Sequence, residues 1–486
     1  MAGAPGAEGA SPNRHSGDHS ARSARWGLRN ARRVRFDVRV DILPTLLGDL
    51  RQCFESFPDP RRGQPNAIYS MVDIGMAAFS VFFTQSPSFL EYQRQMKEGH
   101  RRSNCETLFE MDRIPSDNHI RAMLDPASPA QLHPAFAAVV DALRKPGALD
   151  DFRRLGGHTL IALDGTEYHC SHEIHCEQCS HRLRGKSQGK GKGKGKGKDK
   201  DKEGETEYFH IVLGATVVAP GHNHAIPLVP EFVVPQDGVE KQDCESRAAR
   251  RWLTAHAASH AVLNPIYLGD DLYSNQPMCQ AVLDQGAHFI FVCKPTSHPL
   301  IGEYISGADL SSHSVQVKNG PRRETRHYRW INKVPLRDSK DAMEVNWFEI
   351  IIQNDAGETT YRNSFVTDLP VDRNNIADMA DCGRARWKIE NGAFNVLKNH
   401  GYNLEHNFGH GKQNLSAILV SLNLLAFAFH TVCDHLEPLW RLARSKAGTR
   451  MGFFHHIISL TTYLIFPSWD DLLQTLAFLK PPPQPP

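Results

Sequence analysis

Three carboxylates and one cluster of sulfur and imidazole donors are the residues of this 486-residue chain whose types and spacing could do chemistry. Asp164 and Asp270 each close a short apolar run, Thr159-Leu160-Ile161-Ala162-Leu163 and Pro265-Ile266-Tyr267-Leu268-Gly269. By itself that placement is weak, because many such Asp residues only cap turns. Glu390 lies in Arg384–Lys398, which reads as a helix. At about 100° per residue, Trp387, Ala393, Phe394 and Leu397 fall within about 60° of it. Glu390 is therefore predicted at the centre of a buried face, where an unpaired carboxylate is costly. Two readings follow: an ion pair with Arg386 one turn earlier, or ligation of a cation. Two Asp and one Glu at one point suit a pair of Mg²⁺ ions, which take oxygen ligands. Such a pair, about 4 Å apart, activates the attacking oxygen and stabilises the leaving oxygen of a phosphodiester displacement. Glu231 and Glu245 are read as surface or cap carboxylates, and Asp243 as a helix N-cap.

The second group is Cys170, His172, His175, Cys176, Cys179 and His181, six donors in twelve residues that include a Cys-x2-Cys. Such density could hold a tetrahedral Zn²⁺, with Cys170, Cys176, Cys179 and His181 as the candidate ligands. The alternative is a set of reduced thiols on an exposed loop, since no second ligand pair of clear spacing follows. His406-x3-His410 has metal-like spacing, but its Asn- and Gly-rich context reads as a turn used for polar packing or DNA contact, not zinc.

These residues need elements to position them. From Ile42 to about Phe136 the pattern is helical, with Met71–Phe83 almost wholly apolar, as expected at the centre of a bundle. Pro115-Ser116-Asp117-Asn118 supplies N-cap chemistry for a helix through Ile120, Met123 and Leu124. The middle of the chain reads as a short strand ending at Asp164, a hairpin (Phe209–Val218 and Ala225–Val234) turning at Pro220–His224, and a helix over Asp243–Ala258. A strand into Asp270, a helix over Gln276–Gln285 and a strand over His288–Cys293 follow. That order predicts a mixed sheet covered by helices, with both Asp residues at carboxyl ends of strands. Strands return at Ser314–Val317, Thr325–Val334, Glu344–Gln353 and Thr359–Leu369, read as a β-rich insertion, and helices from about Ala377 onward.

Composition is that of a folded chain, with 40% hydrophobic and 23% charged residues. The net charge of +2 conceals an asymmetry. Residues 1–40 hold eight Arg against three acids, and residues 185–203 eight Lys against three acids, which leaves about −8 for the rest of the chain. The first segment reads as a disordered basic tail. The Gly-Lys alternation of Gly189–Lys198 reads as a flexible, dispensable loop, and the Pro-rich end as frayed. The start has no apolar core, so it is not a secretory signal. Leu415–Val432 is interrupted by polar residues and reads as a packed helix, not a membrane span. Ten scattered Cys fit reduced thiols. The expected setting is cytoplasmic, nucleoid-associated, with no membrane.

Several segments carry a resemblance: Ile114-Pro115-Ser116-Asp117-Asn118 with Arg121 and Leu124-Asp125; Ala162-Leu163-Asp164-Gly165-Thr166-Glu167-Tyr168; Lys241-Gln242-Asp243-Cys244-Glu245; Leu268-Gly269-Asp270-Asp271-Leu272-Tyr273; and Arg386-Trp387-Lys388-Ile389-Glu390-Asn391. Over about residues 45–430 the sequence resembles the DDE transposases of bacterial insertion sequences. The resemblance implies an α/β fold, an RNase H-like mixed sheet flanked by helices, with an N-terminal helical domain and a β-rich insertion. The implied boundaries are a tail at 1–38, a helical DNA-binding domain at 39–150, and a catalytic domain at 151–311 and 377–432 carrying the loop 185–205. The insertion is at 312–376, and C-terminal helices with a tail occupy 433–486.

Asp164, Asp270 and Glu390 become catalytic metal ligands for Mg²⁺, with Mn²⁺ able to substitute, and Arg386, Lys398 and Arg121 contacts to DNA. The best-known group of this superfamily has Tyr-x2-Arg-x3-Glu-x6-Lys around its Glu; here Arg386-x3-Glu390 fits, Gly383 stands in the Tyr slot, and Lys398 falls one place late. Asp270 is preferred to Asp271 because it stands three before Tyr273, with Asp271 still open. The implied partner is double-stranded DNA, element ends and target, bound by a homo-oligomer. Two other functions compete: an inactive or domesticated DNA-binding protein, and a metal-dependent nuclease without strand transfer.

Overall fold

A computed structural model describes residues 42–61, 67–96, 100–184, 205–235, 244–319 and 322–479. The basic tail at 1–38, the Gly-Lys loop, Asp243 and the Pro-rich end lie outside the described residues. The described residues cluster as one compact unit.

The chain opens with helices α1 (Ile42–Glu55), α2 (Met71–Phe83), α3 (Phe89–Met96), α4 (Arg101–Phe109), α5 (Asp117–Leu124) and α6 (His133–Leu143). Helix α2 starts at a reciprocal cap, in which Ser70 accepts from Asp73 N at 2.9 Å and Asp73 accepts from Ser70 N. From there it is apolar nearly all round, and all but Val72 of its residues are buried. Ser116 caps α5, as its sequence predicts.

The sheet begins with β1 (Thr159–Ser171), β2 (Ser180–Arg184), β3 (Glu205–Val218), β4 (Ile226–Pro227) and β5 (Glu231–Val233). Then come α7 (Glu245–His260), β6 (Pro265–Gly269), α8 (Gln276–Leu283), β7 (His288–Val292) and α9 (Pro299–Gly307). Four long strands follow, β8 (Ser311–Asn319), β9 (Arg322–Pro335), β10 (Glu344–Asn354) and β11 (Thr359–Thr367). Among the described residues these form one eleven-stranded mixed sheet in the order β2-β3-β1-β6-β7-β11-β10-β9-β8, with β4 and β5 also on β3. Strands β1, β6 and β7 run parallel, and β3 is antiparallel to β1. The insertion continues this same sheet, because β11 pairs antiparallel with β7.

The sequence ends β1 at Asp164, but the strand runs seven residues further and pairs with β3 through Ser171↔Tyr208. Its continuation alternates polar and apolar residues, and the ladder with β3 satisfies the backbone there. Asp164 is thus in mid-strand, while Asp270 does follow β6 directly.

The chain closes with α10 (Ile376–Arg384), a π-helical segment Ile389–Phe394, α11 (Asn395–Asn399), α12 (Leu415–Leu436), α13 (Pro438–Lys446), α14 (Arg450–Tyr463) and α15 (Trp469–Phe478). Helix α12 is the one described helix long and apolar enough to cross a membrane, and 89% of its most apolar window is buried in the protein. It packs on α2 through Phe79–Phe429 (5.5 Å between ring centroids) and Phe83–His430 (4.3 Å). Trp469 of α15 closes on Phe83 and Phe109. Both ends of the described chain therefore share one core.

Candidate functional site

Asp164 sits on β1 opposite Gly214 of β3, with its side chain only 14% exposed. Gly165 N donates to its Oδ1 at 3.1 Å. Arg386 joins it to the helical segment: one guanidinium nitrogen lies 3.2 Å from Asp164 Oδ2 and the other 2.7 Å from Glu390 Oε1. Asp270 caps the turn after β6, accepting from Leu272 N at 2.9 Å.

Electrostatics link the group. Burial pushes the Asp164 carboxyl up to about 7; Arg386 opposes this, while Glu245, Glu390 and Asp270 add to it. Burial works against the charge on Arg386, but Glu390, Asp164 and Asp270 hold its pKa above the ordinary value. Arg386 thus pairs with two of the predicted carboxylates, Asp164 and Glu390, and Asp270 is linked to them through charge. The carboxylates are not tightly grouped: among the described residues, of the two groups whose donor atoms all lie within 4.8 Å of one another, one is of Cys and His and the other of His alone.

Glu390 corrects the buried-face expectation. Its side chain is 49% exposed, and Trp387 is equally open. The periodicity assumed a regular α-helix, whereas Ile389–Phe394 is π-helical, and the extra residue in that turn rotates the faces. Ile389, Ala393, Phe394 and Leu397 take the buried side, and Phe394 packs where Gly214 leaves no Cβ. The ion pair with Arg386 is present.

Glu245 enters the site although its sequence context reads as a cap. It is the first residue of α7, and its carboxylate lies against Gly165 so closely that a Cβ there would overlap it. Tyr273 Oη donates to its Oε1 at 2.7 Å. Burial and the charge of Asp270 raise its pKa, with the tyrosine hydrogen bond opposing. Glu231, by contrast, pairs with Arg251 at 3.2 Å. Asp271 has a backbone task, accepting from Lys294 N at 2.7 Å and lying near His298.

The remaining predicted DNA contacts are engaged within the chain. Arg121 pairs with Asp117 and donates to Phe408 O at 2.9 Å. Lys398 pairs with Glu405 at 2.8 Å.

The Cys/His cluster is real but differently composed. Cys176, Cys179, His210 and His410 come together, whereas Cys170 is exposed beside Arg182 and His181 is exposed. Residues on one strand alternate faces, so local crowding in sequence does not make a common centre. Hydrogen bonds from Cys179, opposed by burial and joined by His210 and His410, hold the Cys176 thiol far below its ordinary range. All ten cysteines are free of disulfides.

No protein-family model and no curated protein matches this chain.

A second imidazole group, His222, His224 and His435, lies behind the Glu390 segment. Lys388 Nζ donates to His222 O at 2.5 Å, and His224 Nε2 lies 3.1 Å from Asp434 Oδ2. Burial and neighbouring imidazoles push the His222 pKa down to about 4.

Proposed function

We propose that the chain is a DDE-type DNA transposase, acting as a homo-oligomer on double-stranded DNA. It would cut element ends and join the freed 3′-hydroxyl to target DNA. The strand order β3-β1-β6-β7, with β3 antiparallel and the rest parallel, supports an RNase H-like core. The observation that carries the reading is that Arg386 bridges Asp164 and Glu390 while Asp164, buried, also feels the negative charge of Asp270 and Glu245. A buried carboxylate repelled by three others favours a cation. That fits Mg²⁺, or Mn²⁺ in its place, held by Asp164, Asp270 and Glu390.

When bound, the ions supply charge to the attacking and leaving oxygens of a phosphodiester exchange. The protein does the rest. Arg386 keeps Asp164 and Glu390 paired, and its guanidinium would also suit a DNA phosphate beside them. Glu245, held by Tyr273, adds negative charge beside Asp164 and Asp270.

The test is joining of DNA ends, taken from the flanks of the chain's own coding region, to a supercoiled plasmid in Mg²⁺. Wild type should join them, and Asp164→Asn, Asp270→Asn and Glu390→Gln should each lose about 10³-fold or more. Cutting without joining would favour a nuclease. Binding without either would favour an inactive DNA-binding protein.

A further inference from the structure

We infer that Cys176, Cys179, His210 and His410 bind one tetrahedral Zn²⁺ that staples three distant parts of the chain together. The inference is independent of the transposase reading.

The distances are those of a coordination shell. Cys176 Sγ and Cys179 Sγ lie 3.9 Å apart. His210 Nε2 is 3.5 Å from the first sulfur and 3.3 Å from the second, and His410 Nε2 is 3.5 Å from Cys179 Sγ. Zinc bonds of about 2.3 Å to sulfur and about 2.0–2.1 Å to nitrogen give tetrahedral edges near ~3.8 Å for S–S and ~3.5 Å for S–N. All four edges match to within about 0.2 Å. What sets the group apart is that all four donor atoms lie within 4.8 Å of one another around one point; the sulfur–sulfur contact at 3.9 Å is far from a bond.

The burial is that of a structural site. Cys179, His210 and His410 are all more than nine-tenths buried, and Cys176 is partly so. Four protein donors close the shell, which leaves no position for water or substrate. Soft sulfur with imidazole selects zinc over Mg²⁺. The Tyr168 ring stacks on His210 and the His169 ring lies beside His410, so both imidazoles are held in place by packing.

What the ion would fasten follows from the segments. Cys176 and Cys179 form a knuckle between β1 and β2, and His210 is on β3. His410 lies in the stretch leading into α12, and that stretch is gripped from the N-terminal helices. Arg121 holds Phe408 O, and Asp125 accepts from the backbone of Lys412, Gln413 and Leu415 at 3.0–3.1 Å. The staple thus connects the sheet to the α5–α12 junction. No single one of these segments could hold the ion, because the four ligands span residues 176 to 410.

The experiment uses the full-length chain, purified with reductant and without added metal, and counts zinc per chain. One equivalent is expected. Replacement by Co²⁺ should give the intense visible absorption of a tetrahedral thiolate site. Cys179→Ser and His410→Ala should each lose the metal, while Cys170→Ser and His181→Ala keep it. If the first pair fails to fold, chelator titration of wild type serves instead. It should lower the melting temperature by on the order of 5 °C or more and raise hydrogen exchange in both the 176–181 and 408–415 stretches. Chains without zinc, weak octahedral cobalt spectra, or loss of metal with Cys170→Ser would overturn the site. Faster exchange confined to 176–181 would overturn the staple.

Discussion

The carboxylate site and the Cys/His cluster share one ladder: Asp164 pairs with Gly214, and five residues on, His169 pairs with His210. In the first, like charges are crowded and Arg386 opposes them, and burial leaves Asp164 with a proton affinity far above that of an ordinary carboxyl. In the second, two sulfurs and two imidazoles stand 3.3–3.9 Å apart. The first arrangement is poised and responsive, and the second is closed. A site that must admit ions and substrate keeps its repulsion; a site that only fastens does not.

The sharpest way to break this contrast is through protons. If Asp164 must lose its proton for cation binding, Mg²⁺ affinity should fall about tenfold per pH unit below about 7. Isothermal titration between pH 5.5 and 8 measures it; a flat profile would remove Asp164 from the cation site. Zinc at the cluster should stay bound over the upper part of that range.

A smaller effect tests the packing behind the carboxylates. Gly165→Ala places a Cβ on the Glu245 carboxylate, which must swing away and strain its hydrogen bond from Tyr273 to make room. The expected cost is about 1–3 kcal/mol by denaturant unfolding. An unchanged midpoint would mean Glu245 moves freely and is not held against β1.

The smallest effect sharpens the role of Glu390. Because its side chain is 49% exposed, loss of its ion pair in Glu390→Gln should change stability by less than about 1 kcal/mol. A large activity loss beside so small a stability change would separate chemistry from folding. A large destabilisation would return Glu390 to a structural role.

Much of the scaffold could be read from pattern alone. The apolar run of α2, the cap at Ser116, the strand into Asp270 and the long insertion strands all follow from period and turn residues, and each formed within a few residues of its expected bounds. What could not be read depends on distance or on departure from regular geometry. His210 and His410 are 31 and 231 positions from Cys179, so no spacing rule joins them. A wheel of 3.6 residues per turn misplaces Glu390 once the helix inserts a π turn. Glu245 is a helix-start residue like many others until Gly165, far away in sequence, lets it approach β1.

The shared core of α2 and α12 has a consequence for how the chain is made. Helix α2 ends at Phe83, and the partner that covers its Phe79 and Phe83 begins at Leu415, more than 300 residues later. At translation rates of roughly 5–20 residues per second, that apolar helix waits about 15–60 s on the ribosome for its cover. Until Leu415 onward emerges, the Phe79 and Phe83 face of α2 lacks the cover that α12 gives it, a period in which a chaperone would shelter it.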